Sequence, residues 1–478
     1  MPHSLDDQSS RLKEQRRRER LLRGHQEIDI RAEILRDYAP EVAAELQINP
    51  DLSENTFLLT LMQLAVSYDE PPTVLIEGEE DLASIITPLL WPKMQERDLF
   101  TRGIRECFVR LDWPVNESAS QEVGYRVVSP GYILQTEASK VHSDRAVMVE
   151  ELRERTRPDD SGNTITVQTF ETWDITDPLN PVFRIEEIDE DRQRQDMTAF
   201  YAGSTDYPYI DDSGAPIFPY VLYHARLQDR LYDWSRGIEI VAGTLRLAVG
   251  WTSWWDAFND LANPQRVAID LQLPAGTTRT LQGSRNMETI TVSKKTILQF
   301  QSTRDSSGRI DTYPPGMAPM EGVEALRSYA ERLAVFAGLN PGDLQASGVQ
   351  SGISIIVSRD GQRRAQRSAE PSNRTGDQQL LATAARLANS YGGVALPVDE
   401  RAYQIQYAIL GLSQQERKLL IENLSGEQAL GLVSRVTMAR RLNPDIETDQ
   451  EALAFLVRQQ EQEAELGRVL ASILPSEE

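Results

Sequence analysis

The sequence predicts an α+β fold. Three observations carry that expectation. Two long helical periodicities flank a polar, glycine-rich break between Met317 and Tyr391. A tryptophan-bearing helix precedes them. From Tyr125 onward, apolar residues alternate with a strand-like period of about two. The 478 residues provide two to four domains' worth of core. Hydrophobic residues at 40% and charged residues at 26% are ordinary for a globular chain. No apolar run reaches the roughly 20 residues that span a bilayer. The Met1–Asp7 segment lacks the apolar core of a signal peptide. Cys107 is the one cysteine, so an internal disulfide and a cysteine-based metal site are excluded. These features fit synthesis in a reducing cytoplasm. The net charge of -23 argues against wrapping nucleic acid. It suits a wall past which a polyanion slides, and equally it suits simple solubility.

Arg11–Arg23 is a basic run, helix-compatible but with almost no apolar face. It reads either as an arm touching nucleic acid or an acidic partner, or as a frayed, solvated tail. Ile28–Leu46 has helical amphipathicity. Asn55–Tyr68 reads as a largely buried helix that Asp69-Glu-Pro-Pro72 stops. Asp81–Gln95 and Asp98–Leu111 are further helical candidates, with Cys107 as a small buried hydrophobe. Strands are predicted at Tyr125–Val128, Tyr132–Thr136, Ala146–Leu152, Thr164–Thr172 and Val182–Ile188. Turn clusters at Asp159–Gly162 and Asp177–Pro181 separate them. Asp211–Leu222 reads as a turn followed by a strand.

Ser235–Ala262 is a long helix carrying Trp251, Trp254 and Trp255. The tryptophans suit core packing, or packing between subunits in an assembly. Strand character returns at Arg266–Leu271, Thr289–Val292 and Thr296–Gln301. This segment contains Lys294 and Lys295, the only adjacent lysines. Glu321–Gly338 is a helix whose Val323, Leu326, Leu333, Val335 and Phe336 form an apolar stripe toward the tryptophan-bearing helix. Leu339–Gly352 is the polar break. Ile353–Asn389 is a second long helix, with Arg359, Arg363 and Arg367 spaced by four on one face. That row admits pairing with neighbouring carboxylates or contact with phosphate. Pro371 is expected to kink or break the helix. An extended link at Gln404–Ala408 follows. Then come helices at Ser413–Asn423, Ser425–Leu432, from Val433 with Ser434 as N-cap, and Gln450–Leu474.

Motifs for nucleotide binding, zinc hydrolysis and serine nucleophiles are absent. The four histidines, His3, His25, His142 and His224, form no ligand set. The Glu186–Asp191 acid cluster suits a solvated turn or a divalent cation. No catalytic residue, cofactor or metal site is predicted.

The order of segments resembles the portal proteins of tailed bacteriophages: a helix ending in an acidic Pro-Pro turn, a β-rich part, and Gly214-Ala-Pro-Ile217 before a strand. A long helix, a β insert, a helix–loop–helix and the Gly431-Leu-Val-Ser434 to Asn443-Pro-Asp445 run complete it. The resemblance implies a portal-type fold: a basic arm (1–27), a wing (28–234), a first stem helix (235–262), a clip (263–316), a second stem helix (317–338), a tunnel loop (339–352), a long wing or spine helix (353–395) and a helical crown (396–478). The basic arm has no equivalent in the family pattern. The resemblance also implies a non-enzymatic homo-oligomer, usually of 12 subunits, made in the host cytoplasm and set at one capsid vertex of the virion. There it would be the channel for genome packaging and ejection. Double-stranded DNA would pass through. Its partners would be the terminase large subunit, a head–tail adaptor protein, and the major capsid and scaffolding proteins, with no membrane. Gln345, Ser347, Gln350 and Ser351 would then touch DNA in the tunnel loop. Arg359, Arg363 and Arg367 would face the lumen or a neighbouring subunit. Trp251, Trp254, Trp255 and Phe336 would pack the stem or the subunit interface, and Lys294 and Lys295 would meet the docking partner on the clip. The alternative is a non-channel phage minor head or adaptor protein, which has no need of a mobile loop between long helices.

Overall fold

The structure is a computed structural model. It describes residues 5–36, 49–76, 86–87, 89–113, 123–158, 163–188, 193–232, 239–262, 265–269, 271–272, 301–302, 309–313, 319–339, 352–408, 414–431, 433–442, 446 and 448–473. The fold is α+β. Helices and antiparallel sheets are both present, and every strand pair among the described residues is antiparallel. The chain divides into two compact units.

Unit 1 comprises residues 1–24, 57–237 and 334–478. Its first helix, α1 (Leu5–Leu22), holds the basic run. The expectation of a solvated tail is overturned, because Leu21, Leu22, Arg11, Gln15, Arg18 and Glu19 are all buried. Polar contacts replace the missing apolar face. Arg11 and Gln15 meet Glu106, Arg18 donates to the Gly103 carbonyl and Arg16 to that of Gly131, and Glu19 accepts from Ser129.

After α2 (Glu27–Leu35), which belongs to unit 2, α3 (Thr56–Leu64) is shorter than predicted. It is also buried on one side only, through Phe57, Thr60 and Leu61, while Leu59 and Met62 are exposed. Strand β1 (Thr73–Ile76) follows. Helix α4 (Trp91–Ile104) spans the end of the predicted Asp81–Gln95 helix and the start of the predicted Asp98–Leu111 helix, while residues 81–85 and 88 lie outside the described residues. It ends because Arg105 takes a left-handed conformation, φ 84°. Cys107 therefore lies on strand β2 (Glu106–Asp112), not on a helix. The apolar run Cys107-Phe-Val is buried on both faces, a pattern that periodicity alone cannot separate from a buried helix. Cys107 is free and buried, and burial pushes its thiol up, as its reading as an inert hydrophobe requires.

Strand β2 is the centre of a three-stranded sheet, between β3 (Gly124–Val128) and β9 (Tyr220–His224). A five-stranded meander runs β4 (Ile133–Ala138), β5 (Ala146–Pro158), β6 (Thr164–Asp174), β7 (Val182–Ile188) and β8 (Arg194–Asp196). The short α5 (Thr198–Ala202) follows it. At the predicted turn, Gly214 adopts φ 85°, and the Asp211 carboxylate accepts from the Ser213 and Ala215 amides.

Unit 2 comprises 25–56 and 238–333. It contains α2 and the long helix α6 (Glu239–Ala262). Strands β10 (Gln265–Ile269) and β13 (Arg309–Tyr313) pair, as do β11 (Leu271–Gln272) and β12 (Gln301–Ser302). It also holds most of α7 (Pro319–Phe336). A Cβ on Gly243 would overlap Leu333, and one on Gly250 would overlap Leu326. The pairs run in opposite senses seven residues apart, so α6 and α7 are antiparallel, with leucines seated on glycines. This places the predicted stripe of α7 on the tryptophan-bearing helix through Leu326 and Leu333. Val335 and Phe336, in the part of α7 that belongs to unit 1, are exposed. Helix α7 stops at Gly338 (φ 85°), whose amide donates to Val335 O while that of Leu339 donates to Ala334 O.

Helix α8 (Gly352–Gly392) returns to unit 1 and runs ~60 Å. Pro371 does not break it. Strand β14 (Tyr403–Gln406) pairs with β1. Helix α9 (Gln414–Ala429) replaces the two short helices predicted there. Helices α10 (Arg435–Leu442) and α11 (Asp449–Ile473) complete the chain, and the Ser434 hydroxyl accepts from the Thr437 amide at 3.1 Å, the predicted N-cap.

Candidate functional site

Helix α8 carries the most elaborate polar site in unit 1. Asp377 lies just past its midpoint and is fully buried. Its carboxylate accepts from three tyrosine hydroxyls: Tyr68 at 2.6 Å, Tyr223 at 2.8 Å and Tyr407 at 2.7 Å. The Arg97 guanidinium of α4 stands 4.0 Å from Asp377 and 4.0 Å from Asp98. It is sandwiched between the rings of Tyr68 and Tyr223, 4.5 and 4.2 Å from their centroids. Its Nη1 donates to Asn373 Oδ1 at 2.9 Å. One turn earlier on α8, Ser372 donates to His224 O on β9. Gly376 lets the helix lie directly on the Tyr223 ring, which a Cβ would overlap.

The electrostatics follow from burial. Burial disfavours the charge on Arg97, but Tyr68, Asp377 and Asp98 outweigh it and push the guanidinium above its ordinary value. Burial, then the adjacent carboxylate, push the hydroxyls of Tyr223 and Tyr407 well up, so these tyrosines stay neutral donors. Burial raises the Asp377 carboxyl, against Arg97 and the three hydroxyl donors. The constellation holds no solvent-facing nucleophile. It fastens one long helix to α4, β9 and the turns after α3 and β14. It also accounts for the continuity through Pro371. Tertiary bonds from Ser372, Asn373 and Asp377 offset the roughly 3 kcal/mol that an interior proline costs.

A second buried charge set lies on the meander. Glu171 is fully buried and receives Arg110, Arg153, Arg155 and the Trp173 indole. Burial disfavours its charge, yet the three arginines hold its carboxyl far below the ordinary range. Glu151 takes the Arg126 fork at 2.8 and 2.8 Å and the Tyr220 hydroxyl at 2.7 Å.

Among the described residues, those that the sequence singled out lie on α6, α7 and α8. Gln345, Ser347, Gln350 and Ser351 lie outside the described residues, as do Lys294 and Lys295. Arg359, Arg363 and Arg367 share α8. The Arg359 side chain is outside the description, Arg363 is half-buried and Arg367 exposed. On α6, Trp251, Trp254 and Trp255 form a cluster with Phe258: Trp254 meets Trp255 edge-on at 4.9 Å and stacks on Phe258 at 5.4 Å. Trp251 and Trp254 are half-buried, while Trp255 and Phe258 are exposed at 46% and 41%. Phe336, at 65% exposure, is not part of a packed stem in the single chain. The polar site around Asp377 was not anticipated. Its signal is Ser372, Asn373 and Asp377 recurring at helical spacing on the face that also carries Leu380, Leu381 and Ala384.

Among the described residues, no helix is long and apolar enough to cross a membrane. Among the described residues, no group of three or more His, Cys, Asp or Glu is placed to hold a metal ion. No protein-family model matches the chain, and a search of curated proteins finds no match.

Proposed function

We propose that this chain is a portal protein of a tailed bacteriophage, a non-enzymatic ring subunit through whose channel double-stranded DNA enters and leaves a capsid. The observation that carries the reading is the helical framework. The antiparallel pair α6 and α7 brackets a β-containing insert (265–313), and the 41-residue helix α8 follows within sixteen residues of α7. A stem of paired helices, an inserted clip and a spine helix require that order. The exposed aromatic side of α6 supports it further, since Trp255 and Phe258 remain uncovered in the single chain and would be covered between ring neighbours. In this reading, segment 339–352 faces DNA, the clip meets terminase and then a head–tail adaptor, and the net charge of -23 keeps DNA from adhering to the wall.

The test is native mass spectrometry with negative-stain imaging of the purified full chain. The expected particle is a ring of about twelve subunits with a central hole, as the resemblance implies. A compact small oligomer without a hole would refute the portal reading and favour an adaptor.

A further inference from the structure

Helix α1 has a buried face and a basic face. Arg11, Gln15, Arg18, Glu19 and Leu22 point inward and are buried. Lys13, Arg16, Arg17 and Arg20 stand at i, i+3, i+4 and i+7, so at about 100° per residue they form one stripe on the opposite side. Lys13 and Arg16 are exposed, the Arg16 Nε also donating to the Gly131 carbonyl at 3.1 Å, while Arg17 and Arg20 are half-buried and engaged with other groups of the protein. Residues 9–23 hold seven cations against two carboxylates, Glu14 and Glu19. Both carboxylates are already used by the helix itself, Glu14 by Arg18 at 3.0 Å and Glu19 by Arg23 at 3.0 Å. The stripe is therefore basic, with neither of these carboxylates left to it, in a chain whose net charge is -23.

We infer that the outward face of α1 is a docking surface for the phosphate backbone of duplex nucleic acid, separate from segment 339–352 and independent of the portal reading. Three features favour this occupant. The helix is seated in advance by its inward contacts, so binding orders no segment. Arginine dominates the run, and its planar fork matches phosphate oxygens better than an ammonium does. The acidity of the rest of the chain repels a polyanion, which confines contact to this stripe and gives it one orientation. The spacing suits the ligand. The stripe from Lys13 to Arg20 rises ~10 Å along the helix, a length over which duplex DNA presents about six phosphates. The contact is to backbone and carries no sequence preference.

The experiment is fluorescence anisotropy of the full-length protein with labelled 30-base-pair duplexes of DNA and of RNA, from about 50 to 200 mM salt, the range over which phosphate contacts weaken most visibly. Two phosphate contacts by Lys13 and Arg16 give a log–log salt slope of about -2. Lys13→Gln with Arg16→Gln is expected to flatten that slope toward zero and weaken binding about 10-fold or more at the lowest salt. Lys13→Glu, which touches none of the inward contacts, is expected to act in the same direction at an unchanged melting temperature. Arg374→Gln, on the exposed side of α8, is expected to leave binding unchanged. Preference for one duplex identifies the source of the backbone. No binding to either duplex overturns the inference. So does binding that both α1 variants leave intact, or equal retention by polyglutamate, which would make the stripe a site for an acidic protein.

Discussion

Replacing Asp377 with alanine tests whether the polar centre on α8 fastens the helix to the sheet. The carboxylate is fully buried and accepts three tyrosine hydroxyls. Its loss leaves three buried donors without that acceptor, at roughly 1–3 kcal/mol each when no water replaces it. It also leaves Arg97 charged, buried and dependent on Asp98 and two aromatic faces. Breaking a buried ion pair from one side costs about 3–5 kcal/mol. These effects share atoms and do not add. A net loss of about 4–6 kcal/mol is expected, a large part of the 5–15 kcal/mol typical of a whole domain. The two compact units need not unfold together, so a single melting midpoint is a poor readout. Hydrogen exchange resolved to residues 370–390 reads the relevant opening directly. Protection there is expected to fall about 1,000-fold or more, with protection on α6 of unit 2 unchanged. Asp377→Asn keeps one acceptor oxygen and removes the charge, so its loss is expected to be smaller, about 3 kcal/mol. A loss below about 1 kcal/mol in the alanine variant would show that the tyrosines and Arg97 find other partners. The centre would then be a consequence of packing and not its cause.

Three further outcomes follow from the same geometry. Glu171 has a folded-state carboxyl held far below its unfolded value, so its contribution is complete above the unfolded value and is lost as pH falls toward the folded one. Glu171→Gln is therefore expected to cost about 3 kcal/mol at pH 7 and to remove part of the loss on acidification, measured by urea unfolding at pH 7 and pH 3. Asp211 is held at about 2, with Ser213 and then Arg386 overcoming desolvation; Arg386→Met should raise it, observed by NMR titration between about pH 2 and 5. Gly250→Val inserts a side chain where Leu326 already sits, and is expected to destabilise unit 2 by about 1–3 kcal/mol, read as lost protection on α6.

The elements with an unambiguous period were legible in the sequence. Val182–Ile188 matches β7 at both ends, and Ser434 caps α10 as its position ahead of Arg435 suggested. The failures have specific physical causes. Cys107-Phe-Val is apolar at consecutive positions because β2 is the central strand of its sheet, covered on both faces, and a doubly covered strand carries no alternation to read. The basic run looked too polar to pack. Its docking surface is the Gly103 carbonyl at the end of α4, the Gly131 carbonyl in a turn and Glu106, which accept guanidinium groups where an apolar surface could not.

Helix α8 shows why the principal polar site escaped notice while its helix did not. Helical spacing placed Ile353–Asn389 correctly, but the same spacing treats a polar residue on the core face as a defect. Asp377 stands one turn before Leu381 and one turn after Asn373, on that face. It is tolerated there because its partners come from positions 68, 97, 223 and 407, which no local pattern connects. Proline at 371 gives the same lesson in reverse. Local chemistry dictates a break, and bonds made within the next two turns hold the helix through it. The continuity of α8 thus depends on contacts that close only when the whole of unit 1 has formed. Helix α8 should accordingly be fully protected only in the complete unit, and a fragment spanning residues 352–392 alone should break at Pro371.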